Sequence, residues 1–280
     1  MNSPALHSTQ CGIHYRIYRN ENTSSNHRLL CIHGAGVAGQ LTYEYICYYL
    51  SQYREVLVPD LLGMGDSNSA DKPWLDLDDY LQGLLTVLEV EQWQTFNLCG
   101  YSLGGLLAAN FNLHYGKRYT VDETLLIEPA LFDDIDMEQT RLFRRHYRQI
   151  ALDIQAGQDA DECIVRFLDL VSPKRPKNAR SEKMTIRRLG HRVNGFAQAL
   201  YAVAQAAENI DRDALVLAQK PNVTVLLGQN SYPNMLQCHK EIQLIYPWWR
   251  TQIIAGTDHS MPYQKPRRVA EVLDGFIVDE

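Results

Sequence analysis

Short runs of Leu, Ile and Val alternate with amphipathic segments of helical length along most of this chain. The runs at residues 13–18, 29–33, 55–58, 95–99, 124–128, 223–227 and 251–255 predict strands. The middle ones are almost continuous in apolar residues, as expected of strands covered on both faces. Segments 43–53, 77–88, 103–115, 234–244 and 266–277 repeat apolar residues at helical spacing and predict the covering helices. In the first of them Tyr45, Tyr48 and Tyr49 stand at i, i+3 and i+4, which predicts that they form its core face.

Between residues 131 and 214 the alternation stops, and only helical patterns follow one another. A structureless loop of that length is uncommon in a compact domain, so a helical insertion is expected. Pro173 and Pro176 are expected to divide it into two sub-bundles. The expected organisation is a core of residues 1–130 and 215–280, interrupted by a helical lid at 131–214.

Composition narrows the class without naming a chemistry. The 280 residues, 45% hydrophobic and 21% charged, are typical of a globular protein large enough to need no metal or disulfide staple. A net charge of −6 argues against nucleic acid as a partner, because non-specific binding rests on excess Lys and Arg. The first ten residues lack the basic and apolar regions of a signal peptide, and no apolar run approaches the roughly 18 residues of a membrane span. Six scattered cysteines with no CxxC pair, several inside apolar segments, read as buried free thiols of a reducing compartment. A cytoplasmic protein with no membrane partner is the expectation. No close His spacing announces a metal site, and neither a metal nor another cofactor is expected.

The chemistry gathers at the ends of the apolar runs. Gly100-Tyr101-Ser102-Leu103-Gly104-Gly105 follows a predicted strand and opens a predicted helix, the context a GxSxG nucleophile elbow requires. Its glycines permit a sharp turn, and the N–H of Leu103 at the new helix start can point at a developing oxyanion. The plainer reading is a glycine-rich turn whose serine only caps the helix. Upstream, His33-Gly34-Ala35-Gly36 ends another strand, where a second oxyanion donor is needed and small residues let the backbone approach a carbonyl. Residues 59–67, PDLLGMGDS, read as a structural turn. Near the C-terminus, Gly256-Thr257-Asp258-His259 lies between the last strand and the last helix, where a histidine can reach back to the serine.

Taken in order, HGAG, PDLLGMGDS, GYSLGG and GTDH resemble the α/β-hydrolase family over essentially the whole chain. The resemblance implies an α/β fold: a mostly parallel eight-stranded sheet flanked by helices, with a helical lid inserted after strand 6. It also implies Ser102 as nucleophile, His259 as general base, and the backbone N–H groups of Ala35 and Leu103 as oxyanion hole. One departure stands out. Family members usually carry an acid just after the seventh strand, but residues 226–233 read LLGQNSYP, without a carboxylate. Certain relatives, among them some dehalogenases and lipases, take the acid from the end of the sixth strand, which in this chain is Glu128. That carboxylate ends an apolar run and needs a partner if buried; it serves either as the triad acid or as a structural pair. Asp258, Asp133, Asp134 and the neutral acceptor Asn230 are the other candidates.

Serine at the elbow, where dehalogenases and epoxide hydrolases use aspartate, points to acyl chemistry on a small ester or thioester. Hydrolysis of a C–C bond, a lyase reaction, acyl transfer, or ligand binding without turnover would use the same fold. In the lid, Lys174, Arg175, Lys177, Arg180, Lys183, Arg187, Arg188 and Arg192 face a single acid, Glu182. Arg187 and Arg188 are thereby candidates for contact with an anionic substrate, against the alternative of a solvated helix face. Trp248 and Trp249 are candidates either for packing or for the wall of an acyl pocket.

Overall fold

In the computed structural model the apolar runs pair into one sheet, with strands in the order β1-β2-β4-β3-β5-β6-β7-β8. These are β1 (Leu6–Ser8), β2 (His14–Arg19), β3 (Arg28–Ile32), β4 (Glu55–Pro59), β5 (Thr95–Tyr101), β6 (Thr120–Ile127), β7 (Val223–Gly228) and β8 (Trp249–Ile254). The described residues are 1, 4–69, 71–175 and 179–277, without the side chains of 179–181. Only the pairs β1–β2 and β2–β4 are antiparallel; all later pairs are parallel. Strand β1 has no apolar signature because it is three residues long and pairs at the edge with its side chains largely exposed.

The runs are continuous in apolar residues because successive side chains enter two different layers. Leu30, Ile32, Leu98 and Leu126 face the larger core, while Leu29, Cys31, Cys99, Leu125 and Ile127 face the smaller one. The helices α1 (Gly39–Tyr49) and α11 (Pro266–Asp274) pack together over the smaller layer. Against the other face lie α2 (Leu77–Glu91), α3 (Leu103–Tyr115) and α9 (Pro233–Ile245); the short α10 (Met261–Gln264) precedes α11. Cys31, Cys47, Cys99, Cys163 and Cys238 are buried free thiols, and Cys11 is exposed.

The tyrosine stripe on α1 reverses the expectation. Tyr45 and Tyr48 are 68% and 71% exposed and Tyr49 is 43% exposed. The buried face is instead Thr42, Tyr43, Ile46 and Cys47. Both sets have helical spacing, but the hydroxyl of Tyr43 donates to the Ile32 carbonyl at 2.8 Å, so the buried ring has a polar partner at the strand end.

After β6 the chain runs through α4 (Met137–Gln155), α5 (Ala160–Val171), α6 (Ala179–Gly190), α7 (Val193–Asn209) and α8 (Arg212–Ala218) before returning as β7. Pro173 lies between α5 and α6, and Pro176 is outside the described residues. The break does not produce two sub-bundles: α4, before it, packs chiefly on α7, after it. Helix α8 spans the expected limit at residue 214 and packs on α3. The lid is tied down on two sides. Arg192 donates to the carbonyls of Gly65 and Ser67, and Trp74 stacks on Tyr201 at 4.1 Å. At its start, buried Arg144 grips Asp133 with two hydrogen bonds of 2.6 Å.

Register decides where the site lies. Ile32 pairs with Gly100, Tyr101 with Ile127, Ile127 with Leu226 and Gly228 with Ile254. The carboxyl ends of β3, β5, β6, β7 and β8 therefore stand side by side, and their following loops share one rim.

Candidate active site

The turn from β5 into α3 holds Ser102 at φ 55, ψ −114, a left-handed conformation that a serine adopts only where its surroundings force it. Two glycines make the turn feasible. A Cβ on Gly100 would come within 2.2 Å of the Gly104 carbonyl oxygen, and one on Gly104 within 2.0 Å of the Ile32 carbonyl oxygen. Ser102 is locked to the neighbouring strand end, its N–H donating to Ile127 and its carbonyl accepting from Ala130.

Beside it, His33 shapes the loop that carries Ala35. Its Nε2 accepts the N–H of Leu61 at 2.8 Å, and Nδ1–H donates to the Gly34 carbonyl at 2.7 Å. Burial lowers the pKa of this imidazole, so it stays neutral with the proton on Nδ1. The Ala35 loop and the start of α3 at Leu103 thus flank the hydroxyl of Ser102.

His259 approaches from the loop after β8. The hydroxyl of Tyr101 donates to its carbonyl at 2.9 Å, fixing the backbone from the strand that ends at the serine. Nε2 lies 3.2 Å from the Ser102 oxygen, and Nδ1 lies 3.3 Å from Oε2 of Glu128. Glu128 is 1% exposed and sits at φ 48 where β6 ends. Its other oxygen, Oε1, accepts from the Gly228 N–H and from the Ser231 hydroxyl, each at 2.6 Å. Both oxygens of a buried carboxylate are thus satisfied, as its desolvation demands.

The competing acids point elsewhere. Asp258 accepts from the Ser260 N–H and from Gln264, Asp133 is held by Arg144, and Asp134 accepts from Asn234 and the Asp136 N–H. Asn230 is exposed and gives its N–H to the Thr257 carbonyl. Among the described residues no His, Cys, Asp or Glu cluster could hold a metal ion.

Residues 29–272 match the alpha/beta hydrolase family. The chain belongs to it. A curated relative, abhydrolase domain-containing protein abhd-5.2 of Caenorhabditis elegans, is 32% identical over 116 residues, which are 39% of this chain and 25% of that protein. The chain therefore matches only a quarter of that relative's length. A carboxylesterase structure from the ammonia-oxidizing thaumarchaeon Nitrososphaera gargenis superposes with a TM-score of 0.72 at 19% identity, covering 97% of each chain. Bromoperoxidase from Bacillus anthracis superposes with a TM-score of 0.75 at 16% identity, covering 99% of this chain and 100% of the other. At those identities the structures speak to the fold.

In this alpha/beta hydrolase family member a cavity of about 80 Å³ lies between the serine and the lid. Val37, Phe167, Leu168, Val171 and Leu189 make its apolar wall, with Ser102, His259, Ser172 and Arg188 among its polar lining. The basic lid stretch separates here. Arg188 lines the cavity, whereas Arg187, Lys174 and Lys183 are exposed. Arg175 pairs with Asp169 and Glu182, Arg192 fastens the lid, and Lys177 and the side chain of Arg180 fall outside the described residues. Trp248 and Trp249 line no part of the cavity; buried Trp249 stacks on His239, and Trp248 packs against Tyr246. Ser231, the Gly228 N–H and Tyr101 carry no sign of their roles in the pattern alone. Ser231 stands in the very stretch that lacks a carboxylate. No helix among the described residues is long and apolar enough to cross a membrane.

Proposed function

We propose that this chain is a serine hydrolase that cleaves a small carboxylic ester or thioester through an acyl-enzyme on Ser102. The observation that carries this reading is the unbroken line from the Ser102 hydroxyl through both nitrogens of His259 to Glu128. With Nδ1–H donating a hydrogen bond to Glu128, Nε2 is free to take the serine proton as Oγ attacks the carbonyl. The N–H groups of Ala35 and Leu103 would receive the oxyanion. The protonated His259 then returns the proton to the leaving alkoxide or thiolate. In the second half-reaction it activates a water that releases the acid. The small volume of the cavity favours a short acyl group.

Labelling with a fluorophosphonate tests the reading, with Ser102→Ala as control, followed by ethyl esters and thioesters of increasing chain length. Ser102-dependent labelling and turnover of the short members are expected. Labelling without turnover of any acyl substrate would point to the lyase or ligand-binding alternatives. No labelling would remove the activated nucleophile.

A further inference from the structure

We infer that the cavity takes an acyl group ending in a carboxylate, such as the half-ester of a short dicarboxylic acid, with Arg188 and Ser172 holding the carboxylate. The inference rests on the proposed serine hydrolase chemistry and names the substrate class for it. Two independent observations on the lid wall support it.

The first is a cation without an anion. Arg188 lines the cavity with its guanidinium 5.4 Å from the ring centre of Tyr263. No Asp or Glu among the described residues lies within 4.0 Å of it. Its neighbours in the basic stretch differ: Arg175 has two carboxylate partners and Arg192 two carbonyls. The second is a hydroxyl without a partner. Ser172 is 2% exposed and lines the same cavity, and its Oγ has no hydrogen-bond partner among the described residues. Buried polar groups are ordinarily satisfied, so a hydroxyl left open inside a substrate cavity is a vacant donor.

The pair selects a carboxylate. One guanidinium and one hydroxyl supply hydrogen-bond donors for a monoanion with two oxygens, and a single cation matches its single charge. Val37, Phe167, Leu168, Val171 and Leu189 line the same cavity, which suits a few methylenes. The acyl part stays on the serine after the leaving group departs, so it is the part that the enclosed space must accommodate. A neutral acyl chain of equal length would leave half-buried Arg188 without an anion and the buried Ser172 hydroxyl unpaired.

Monoethyl esters of succinic, glutaric and adipic acid should be compared with neutral ethyl esters in which an isopropyl group replaces the carboxylate. Acid release is followed by chromatography. At least one half-ester should exceed its neutral partner in kcat/KM by about 10- to 100-fold. Arg188→Met should collapse that ratio toward one, chiefly through KM, with Arg188→Lys restoring part of it; Ser172→Ala should lower it less. Melting temperatures check that each variant folds, and the wild-type ratio and Ser172→Ala stand even if an Arg188 variant does not. Preference for the neutral ester at every length, or a ratio unmoved by both substitutions, overturns the inference while leaving the serine hydrolase in place. Labelling of Ser102 with no hydrolysis of any of these esters also overturns the inference. Absence of both labelling and hydrolysis removes the underlying reading and the inference with it.

Discussion

The carboxylate of Glu128 faces His259 with Oε2 only, 3.3 Å from Nδ1, because its Oε1 is already occupied by Gly228 and Ser231. A carboxylate held this way has one orientation available, and that orientation dictates which nitrogen of His259 carries the proton.

Glu128→Gln keeps the shape but inverts the polarity. With Oε1 still accepting from Gly228 and Ser231, the new amide NH₂ meets Nδ1 and drives the proton to Nε2, where it blocks general-base catalysis. Turnover should fall by roughly 10³–10⁴-fold with little change in melting temperature. Steady-state kinetics and a thermal melt check it; near-normal kcat would move the acid's role elsewhere.

Ser231→Ala removes one of the two donors to Oε1 and leaves the Gly228 N–H in place. The carboxylate gains freedom to turn away from His259, and kcat should drop by about ten-fold, the cost of one hydrogen bond to a charged group. Kinetics alongside Ser231→Thr, which keeps the hydroxyl, separates the lost donor from a packing defect.

Breaking the buried pair at the start of the lid should cost far more than a surface ion pair. Arg144 and Asp133 are 3% and 2% exposed in their side chains, so Arg144→Met strands a carboxylate, and a loss of about 3–5 kcal/mol is expected in urea unfolding. The double change Arg144→Met with Asp133→Leu should be less destabilised than either single change. Additive losses would show that the two groups act independently.

Acid should destabilise the fold through two histidines that are buried neutral. Burial, with help from Arg212, lowers the pKa of His239 from 6.5 to about 3, and burial also lowers that of His33. As pH falls from about 6.5 toward 3 the unfolded chain takes up a proton at His239 that the folded chain refuses. The His239 share of stability is therefore full above pH 6.5 and falls below it, by about 1.4 kcal/mol per pH unit, and His33 acts in the same direction. His239→Phe should reduce this slope by about one proton between pH 6 and 4, whatever it does to stability at neutral pH. An unchanged slope would assign the acid sensitivity to other groups.

Much of the site was legible because its chemistry coincides with backbone necessity. The elbow needs glycines where side chains would strike Gly104 and Ile32, and α3 begins and ends at the residues its pattern predicts, Leu103 and Tyr115. Glu128 was legible as an acid closing an apolar run. What surrounds Glu128 was not, since Ser231 reaches it across 103 residues of chain and only strand register brings them together. The α1 tyrosines misled because two stripes share one helical period, and only the Ile32 carbonyl above Tyr43 decides between them. Arg187 and Arg188 are indistinguishable in a charge run. A single helical step of about 100° sends one to solvent and the other over Tyr263.

With the acid at the end of β6, Glu128 stands five residues before Asp133, the anchor that Arg144 holds at the root of the lid. The same short stretch of backbone therefore both sets Glu128 against His259 and anchors the insertion. An insertion exchanged at this junction would disturb the contact between Glu128 and His259 along with it. The loop after β7 is tied to the same contact from the other side, because the Gly228 N–H and Ser231 both hold Glu128, so a change in its length would reach His259 as well.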